Sequence, residues 1–349
     1  MLPRPAPDLN RFLAAVAREP VDRMPMLELA VHPSVAAALL EKNEPAPQDH
    51  HSAVQDQVIL LHRLGYDVLK VSAAIPWKVP RLIGHEDSSA GPRKRSWQDQ
   101  HHGPIQDAAD VNRYPWPCPE AVDFSTVFAA VNVLPAGMGL LGFSGGVLEF
   151  CMDLMGMERL MFLSIDQPGL VQQVVDRVGQ VIYEVFEHYC AIPQICALWL
   201  GDDLGHRGGT LVSPRLIREF LIPWYAKYAE LAHRNGRPML MHSCGNTSLV
   251  MEDLIQAGVD AKHSFEDAIE PVEHFMDRWG DQVGILGGVD VHLLSTGPEQ
   301  AIRERVRAIM DHAAHGGRSW VCGSGNSIPD YVPPGHYLAM IEECASIRG

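Results

Sequence analysis

His242-Ser243-Cys244 puts an imidazole and a thiol two residues apart at the end of an apolar run, Pro238–Met241. In a strand, positions i and i+2 face the same way, so both side chains can address one metal ion. Cys322 ends a second such run, Ser319–Cys322, just before Gly323-Ser-Gly-Asn326. Two strand ends on one rim of a closed barrel can converge across its mouth. His242, Cys244 and Cys322 would then be three ligands with one position open, the arrangement of a catalytic zinc. The competing reading is two buried thiols and a histidine bonded to backbone. Spacing alone leaves both standing.

Acids follow the same strand-end pattern. Gly201-Asp202-Asp203 comes directly after the run Ala197–Leu200. Asp203 is a candidate general base, substrate contact or partner to a metal-bound histidine, with a helix N-cap as the alternative for this acid pair. Glu28 lies inside the run Met26–Val31, where an acid is costly unless paired or facing a polar cavity. His263 ends Asp260–His263, with Glu266 and Asp267 beyond it, and Asp290 follows Gly287-Gly288. Asp203, Glu28, Asp290 and His263 are the catalytic candidates. Cys151, Cys190, Cys196 and Cys344 sit in apolar contexts and read as small core fillers, and Cys118 lies between prolines.

The elements that must position these residues are short apolar runs alternating with amphipathic helices. The runs are Met26–Val31, Asp67–Ser72, Leu140–Phe143, Ala197–Leu200, Pro238–His242, Asp260–His263, Gly284–Gly287 and Ser319–Cys322. Ser213-Pro214 reads as a helix N-cap and first position, and Pro223 should kink that helix. Ser248–Ala257 and Pro298–His315 read as helices ended by Gly258 and by Gly316-Gly317. Eight strands alternating with helices predict an α/β fold, a (β/α)8 TIM barrel over residues 1–349 as a single domain. The pattern also admits an open doubly wound sheet. Gly84–Pro119 breaks the rhythm, being rich in Gly, Pro, His, Asp and Arg, and reads as a loop-rich insertion on the active-site side, a loop or small hairpin shaping the site, or as a plain solvated excursion.

Composition removes several classes of function. A formal charge of −15 with no long basic run disfavours nucleic-acid binding. No apolar stretch has the length of a membrane helix, and no secretory leader pattern is present. Seven cysteines are an odd and sparse set, which fits reduced thiols in the cytoplasm rather than a disulfide framework. No P-loop occurs. Gly137–Gly142 has the letters G-x-G-x-x-G but leads into a strand, so it cannot aim a helix N-terminus at a pyrophosphate. Gly142-Phe-Ser144-Gly-Gly146 has the letters of a hydrolase elbow. Asp290-Val-His292 begins like a corrinoid-carrier element, but Ser295 stands where that element needs Gly, so no corrinoid is expected as a resident group.

Taken together, Gly201-Asp-Asp-Leu-Gly205, Leu211-Val-Ser-Pro214, Phe220-Leu-Ile-Pro223, His242-Ser-Cys-Gly-Asn246, Leu286-Gly-Gly-Val-Asp290 and Gly323-Ser-Gly-Asn-Ser327 resemble the uroporphyrinogen decarboxylase superfamily. The resemblance implies a (β/α)8 barrel, and Gly142–Gly146 looks like the family's third strand-end turn. Decarboxylases proper carry an Arg-Gln-Ala-Gly-Arg loop and a following strand-end acid. The matching stretches here are Pro25-Met-Leu-Glu-Leu-Ala-Val-His32 and Val71-Ser-Ala-Ala-Ile75, with neither the arginines nor the acid. The other branch, similar to zinc- and cobamide-dependent methyltransferases of the methylcobamide:coenzyme M type, carries His-x-Cys and a third Cys downstream. His242, Cys244 and Cys322 match that pattern. This resemblance implies Zn2+ as cofactor, a methyl-corrinoid supplied by a carrier-protein partner, and a small methyl acceptor or donor. A homodimer stays open, and the alternative activity is a decarboxylase-like lyase for a smaller acid.

Overall fold

The computed structural model describes residues 5–41, 49–88, 91–99 and 101–346. Seven parallel strands form one curled sheet: β1 (Val68–Ser72), β2 (Gly139–Gly145), β3 (Ile195–Gly201), β4 (Met239–His242), β5 (Ala261–His263), β6 (Gly284–Leu286) and β7 (Trp320–Val321). They pair in chain order, with registers Ser72↔Phe143, Phe143↔Trp199, Gly201↔His242, His242↔His263, His263↔Leu286 and Leu286↔Val321. Helices follow the strands and cover the outside. This is the (β/α) barrel expected from the alternating pattern, and it excludes the doubly wound sheet, whose strand order reverses midway.

The first expected strand, Met26–Val31, forms no full ladder. It joins the β7 side through parallel bridges Met26↔Cys322 and Val31↔Ile328. Between those rungs a side chain replaces the main chain: Glu28 accepts hydrogen bonds from Ser324 N at 2.9 Å and Ser324 Oγ at 2.5 Å. Among the described residues no backbone ladder links this segment to β1. The barrel wall therefore has a seam there.

Two apolar bodies flank the strands. Leu27, Val68, Leu141, Trp199, Leu240, Leu286 and Val321 fill the inside, and a larger set between strands and helices includes Leu69, Leu140, Leu200, Met241, Ile285 and Cys322. Strands buried on both faces read as continuous apolar runs, which is why sequence located them without showing which face is which. The kink expected at Pro223 is a single π-helical turn, Ile217–Leu221, between Pro214–Leu216 and Ile222–Arg234. A wide turn there accommodates a residue that has no N–H to donate. The loop-rich insertion begins as an antiparallel hairpin that starts three residues ahead of it, Arg81–Ser88 paired with Gly91–Gln98, followed by a short helix at Ala108–Arg113. Residues 89, 90 and 100 of that insertion lie outside the described residues. No helix among the described residues is long and apolar enough to cross a membrane.

Candidate metal centre

β4 carries His242 at its C-terminal end on the same face as Leu240, so the imidazole enters the barrel mouth, and the turn beyond brings Cys244 back over it. His242 Nε2 is 3.4 Å from Cys244 Sγ and 3.6 Å from Asp203 Oδ1. Asp203 comes from the turn after β3, and its Oδ1 accepts the Cys244 backbone N–H at 2.8 Å. These three ligand atoms all lie within 4.8 Å of one another. Two atoms sharing a tetrahedral zinc at about 2.0–2.3 Å each are roughly 3.3–3.8 Å apart. The two separations from His242 and the N, S, O donor set fit a divalent metal.

His263 supports this set from one strand over. Its Nδ1 is 2.7 Å from His242 Nδ1, so one ring must donate to the other. With the proton on His242 Nδ1, the Nε2 lone pair faces Cys244 and Asp203, the tautomer a metal requires. His263 is itself fully buried and packs edge-on against Trp199 at 5.4 Å. Burial pushes His242 down to about 4, opposed by the Asp203 charge and reinforced by Lys262 and Lys70, so the imidazole is neutral at neutral pH. The Cys244 thiol is pushed up to about 12 by burial and then by the Asp203 charge. A neutral imidazole, a carboxylate and a protonated thiol within ligand distance are a set that a divalent cation would deprotonate and complete.

The sulfur has further partners that sequence reasoning missed. Asn326 Nδ2 donates to Cys244 Sγ at 3.3 Å, and Ser264 Oγ donates to it at 3.5 Å. Ser264 holds a left-handed backbone conformation, φ 88°, a strained position for a residue with a Cβ. Hydrogen bonds of this kind stabilise a thiolate. Asn326 stood in a glycine-rich strand-end loop that could have flagged it; nothing local in sequence marks Ser264.

Cys322 does not join the set, and the expected His242–Cys244–Cys322 triad is corrected. Val321 occupies the inward position of β7, so the next side chain turns outward. Cys322 is fully buried in the outer core as a free thiol beside the free thiol of Cys344 on the last helix, Pro334–Ser346. Glu28 and Asp290 are also held elsewhere. Glu28 is bound to Ser324, and burial pushes its carboxyl up to about 8 against those hydrogen bonds. Asp290 caps Val291–Thr296 through His292 N at 2.6 Å and ties in the Asp267 N–H at 2.8 Å. Asp202, beside Asp203, accepts from Leu148 N, Glu149 N and Tyr225 Oη, so it anchors the start of the helix Val147–Met155. One acid of the pair is scaffold and the other faces the centre. Ser144 of the elbow-like sequence donates to the Gly145 carbonyl, and among the described residues no imidazole is bonded to it.

A parallel α/β barrel with ligand-type side chains on its C-terminal rim defines the general class. Residues 8–347 match the uroporphyrinogen decarboxylase (URO-D) family model, and the chain belongs to that family. It is 24% identical to the uroporphyrinogen decarboxylase of Anaeromyxobacter sp. (strain Fw109-5), covering 95% of this chain and 97% of the relative. It is 28% identical to that of Methylococcus capsulatus over 72% of this chain and 71% of the relative. A methyltransferase from Methanosarcina mazei has the same fold, with TM-score 0.73 over 98% of this chain and 99% of the other at 18% identity.

Proposed function

We propose that this chain is a zinc-dependent methyltransferase that moves a methyl group between a corrinoid protein and a small acceptor or donor. The observation that carries the reading is the Asp203–His242–Cys244 set at the barrel mouth, with its sulfur hydrogen-bonded by Asn326 and Ser264. Zinc held there would supply a Lewis acid for a substrate thiol or other methyl-bearing group. The chain's own residues prepare the site: His263 fixes the His242 tautomer, and Asp203 holds the Cys244 backbone. In transfer to a thiolate, a sulfur lone pair forms the S–C bond and the Co–C bonding pair stays on the partner's cobalt. The fold shared with a Methanosarcina mazei methyltransferase is consistent with this use of the barrel.

Decarboxylation of uroporphyrinogen fits the chain poorly. A tetrapyrrole with many carboxylates needs several guanidinium partners. The segment facing that position, Pro25–His32, offers no arginine and presents the neutral Glu28 carboxyl. The test is metal analysis of the purified, zinc-reconstituted chain, then anaerobic incubation with methylcobalamin and a panel of thiols, following Co(I) by absorbance. Retained zinc with thiol-dependent demethylation is expected. A chain that holds no metal and converts uroporphyrinogen to coproporphyrinogen would overturn the proposal.

A further inference from the structure

We infer that the small molecule handled here carries a carboxylate, bound by the ammonium of Lys70 in the cavity at the barrel seam. The identification of that molecule as the methyl acceptor or donor rests on the function proposed above; the anion subsite itself does not. Lys70 lies in the middle of β1, two residues after the inward-facing Val68, so its side chain enters the barrel where an apolar residue would ordinarily pack. Its Nζ lies 4.4 Å from the centre of the Phe143 ring. Among the described residues it has no ion pair or hydrogen bond. A half-buried ammonium without a counter-ion is costly, and a cation–π contact offsets only part of that cost.

The cavity beside it explains what could supply the missing charge. It has a volume of about 300 Å³ and opens between the Met26–Val31 segment and β1, where the backbone ladder is missing. That is the lower end of the range for small-molecule sites, roughly 300–1,000 Å³. Leu29, Leu61 and Leu69 give it apolar walls. Of its other polar groups, Gln57 Nε2 donates to the Val31 carbonyl and Thr126 Oγ1 to the Ser72 carbonyl, while His50 and Ser72 complete the polar lining at its rim beside Lys70. Glu28 is the acid in the lining, but Ser324 holds it, and burial keeps its carboxyl neutral at pH 7. Burial alone depresses the Lys70 ammonium, with no anionic neighbour opposing it. The Lys70 charge also reaches His242 and His263, which places it within electrostatic range of the candidate metal centre. A short acid with an apolar body would pair with Lys70 and lie against the leucines.

The probes are two isosteric pairs, benzoate against benzamide and butyrate against butyramide, titrated calorimetrically into the full chain with and without zinc. A charged hydrogen bond of this kind should favour one or both acids over their amides by about 10–100-fold. Lys70→Met and Lys70→Gln should abolish that preference, and Lys70→Arg should retain part of it. Circular dichroism of each variant separates loss of the subsite from loss of the fold. Equal binding of acids and amides by the wild type, or a preference that survives both neutral variants, would overturn the inference. If acids bind through Lys70 yet no carboxylated acceptor takes a methyl group from methylcobalamin and no carboxylated donor methylates Co(I) cobalamin, the proposed function falls and the subsite stands. If transfer proceeds with equal kcat/KM for acid and amide forms of a thiol, the function stands and the inference falls.

Discussion

Replacing Lys70 by Met measures whether its charge has a counter-ion in the folded chain. Burial brings the ammonium from 10.5 down to about 8. At about 1.4 kcal/mol per pH unit, the folded state loses about 3 kcal/mol wherever the lysine is protonated both folded and unfolded. The contact with Phe143 returns about 1 kcal/mol. Met has similar length and no charge, so Lys70→Met should stabilise the ligand-free protein by about 2 kcal/mol at pH 7. The folded pKa lies below the unfolded one, so the penalty is complete below about pH 8. It fades as the folded state sheds its proton first, and is gone above 10.5. Urea denaturation followed by tryptophan fluorescence at pH 7 and pH 10 reads this as a midpoint difference that shrinks at the higher pH. A Lys70→Met protein less stable than wild type at pH 7, with an unchanged m-value, would mean the ammonium is well paired and would refute the reasoning.

Other substitutions separate the roles assigned to neighbouring residues. Cys244→Ala should lose bound zinc by elemental analysis, whereas Cys322→Ala should keep it and lose only about 1–2 kcal/mol of stability for a truncated buried side chain. Asp202→Ala should cost about 2–4 kcal/mol in denaturation, since it strands two helix N–H groups and a buried tyrosine hydroxyl, while leaving metal retention intact. Asp203→Asn should show the opposite pattern, with a stable fold and weakened zinc retention in a chelator competition. Glu28 has a folded pKa raised from 4.5 to about 8, so its contribution to stability is complete below pH 4.5 and is lost as pH rises through 8. Glu28→Gln should flatten that dependence, removing a decline of about 4 kcal/mol between pH 5 and pH 9.

Much of the frame was legible because a barrel strand must be apolar and must end where chemistry begins. His242, Cys244, Asp203 and His263 were found by that rule, each at a strand end and each within reach of the same mouth. Helix ends at Gly258 and Gly316 were legible for a local reason, since glycine or a tight turn stops a helix. The first strand was read too regularly. Its composition is that of a strand, but Glu28 spends its side chain on the Ser324 backbone, and the rung is made by a carboxyl instead of a peptide. No pattern of hydrophobicity carries that information. Ser264 and Asn326 escaped for a similar reason: their role depends on loops from different strands meeting at one sulfur.

The misplaced third ligand shows what spacing can and cannot carry. His242-x-Cys244 spans one strand end, where local backbone geometry brings both side chains over the mouth. Adding Cys322 required knowing which face of β7 it occupies, and that strand is two residues long and buried on both sides. In Trp320-Val321-Cys322 all three residues suit either face, so nothing in the run distinguishes inward from outward. A polar residue in such a strand is different, because the outer face packs against apolar helices and the mouth is where a charge can meet a ligand. Lys70 in Val68-Leu-Lys-Val71 could be assigned inward on that ground, as could His242 and His263. A buried thiol is apolar enough to lie on either face. Lys262, between the inward Ala261 and His263, is the exception: it faces outward and is held by the Ser243, His263 and Ser264 carbonyls, so an ionisable residue marks the mouth only where no such backbone cage takes its charge.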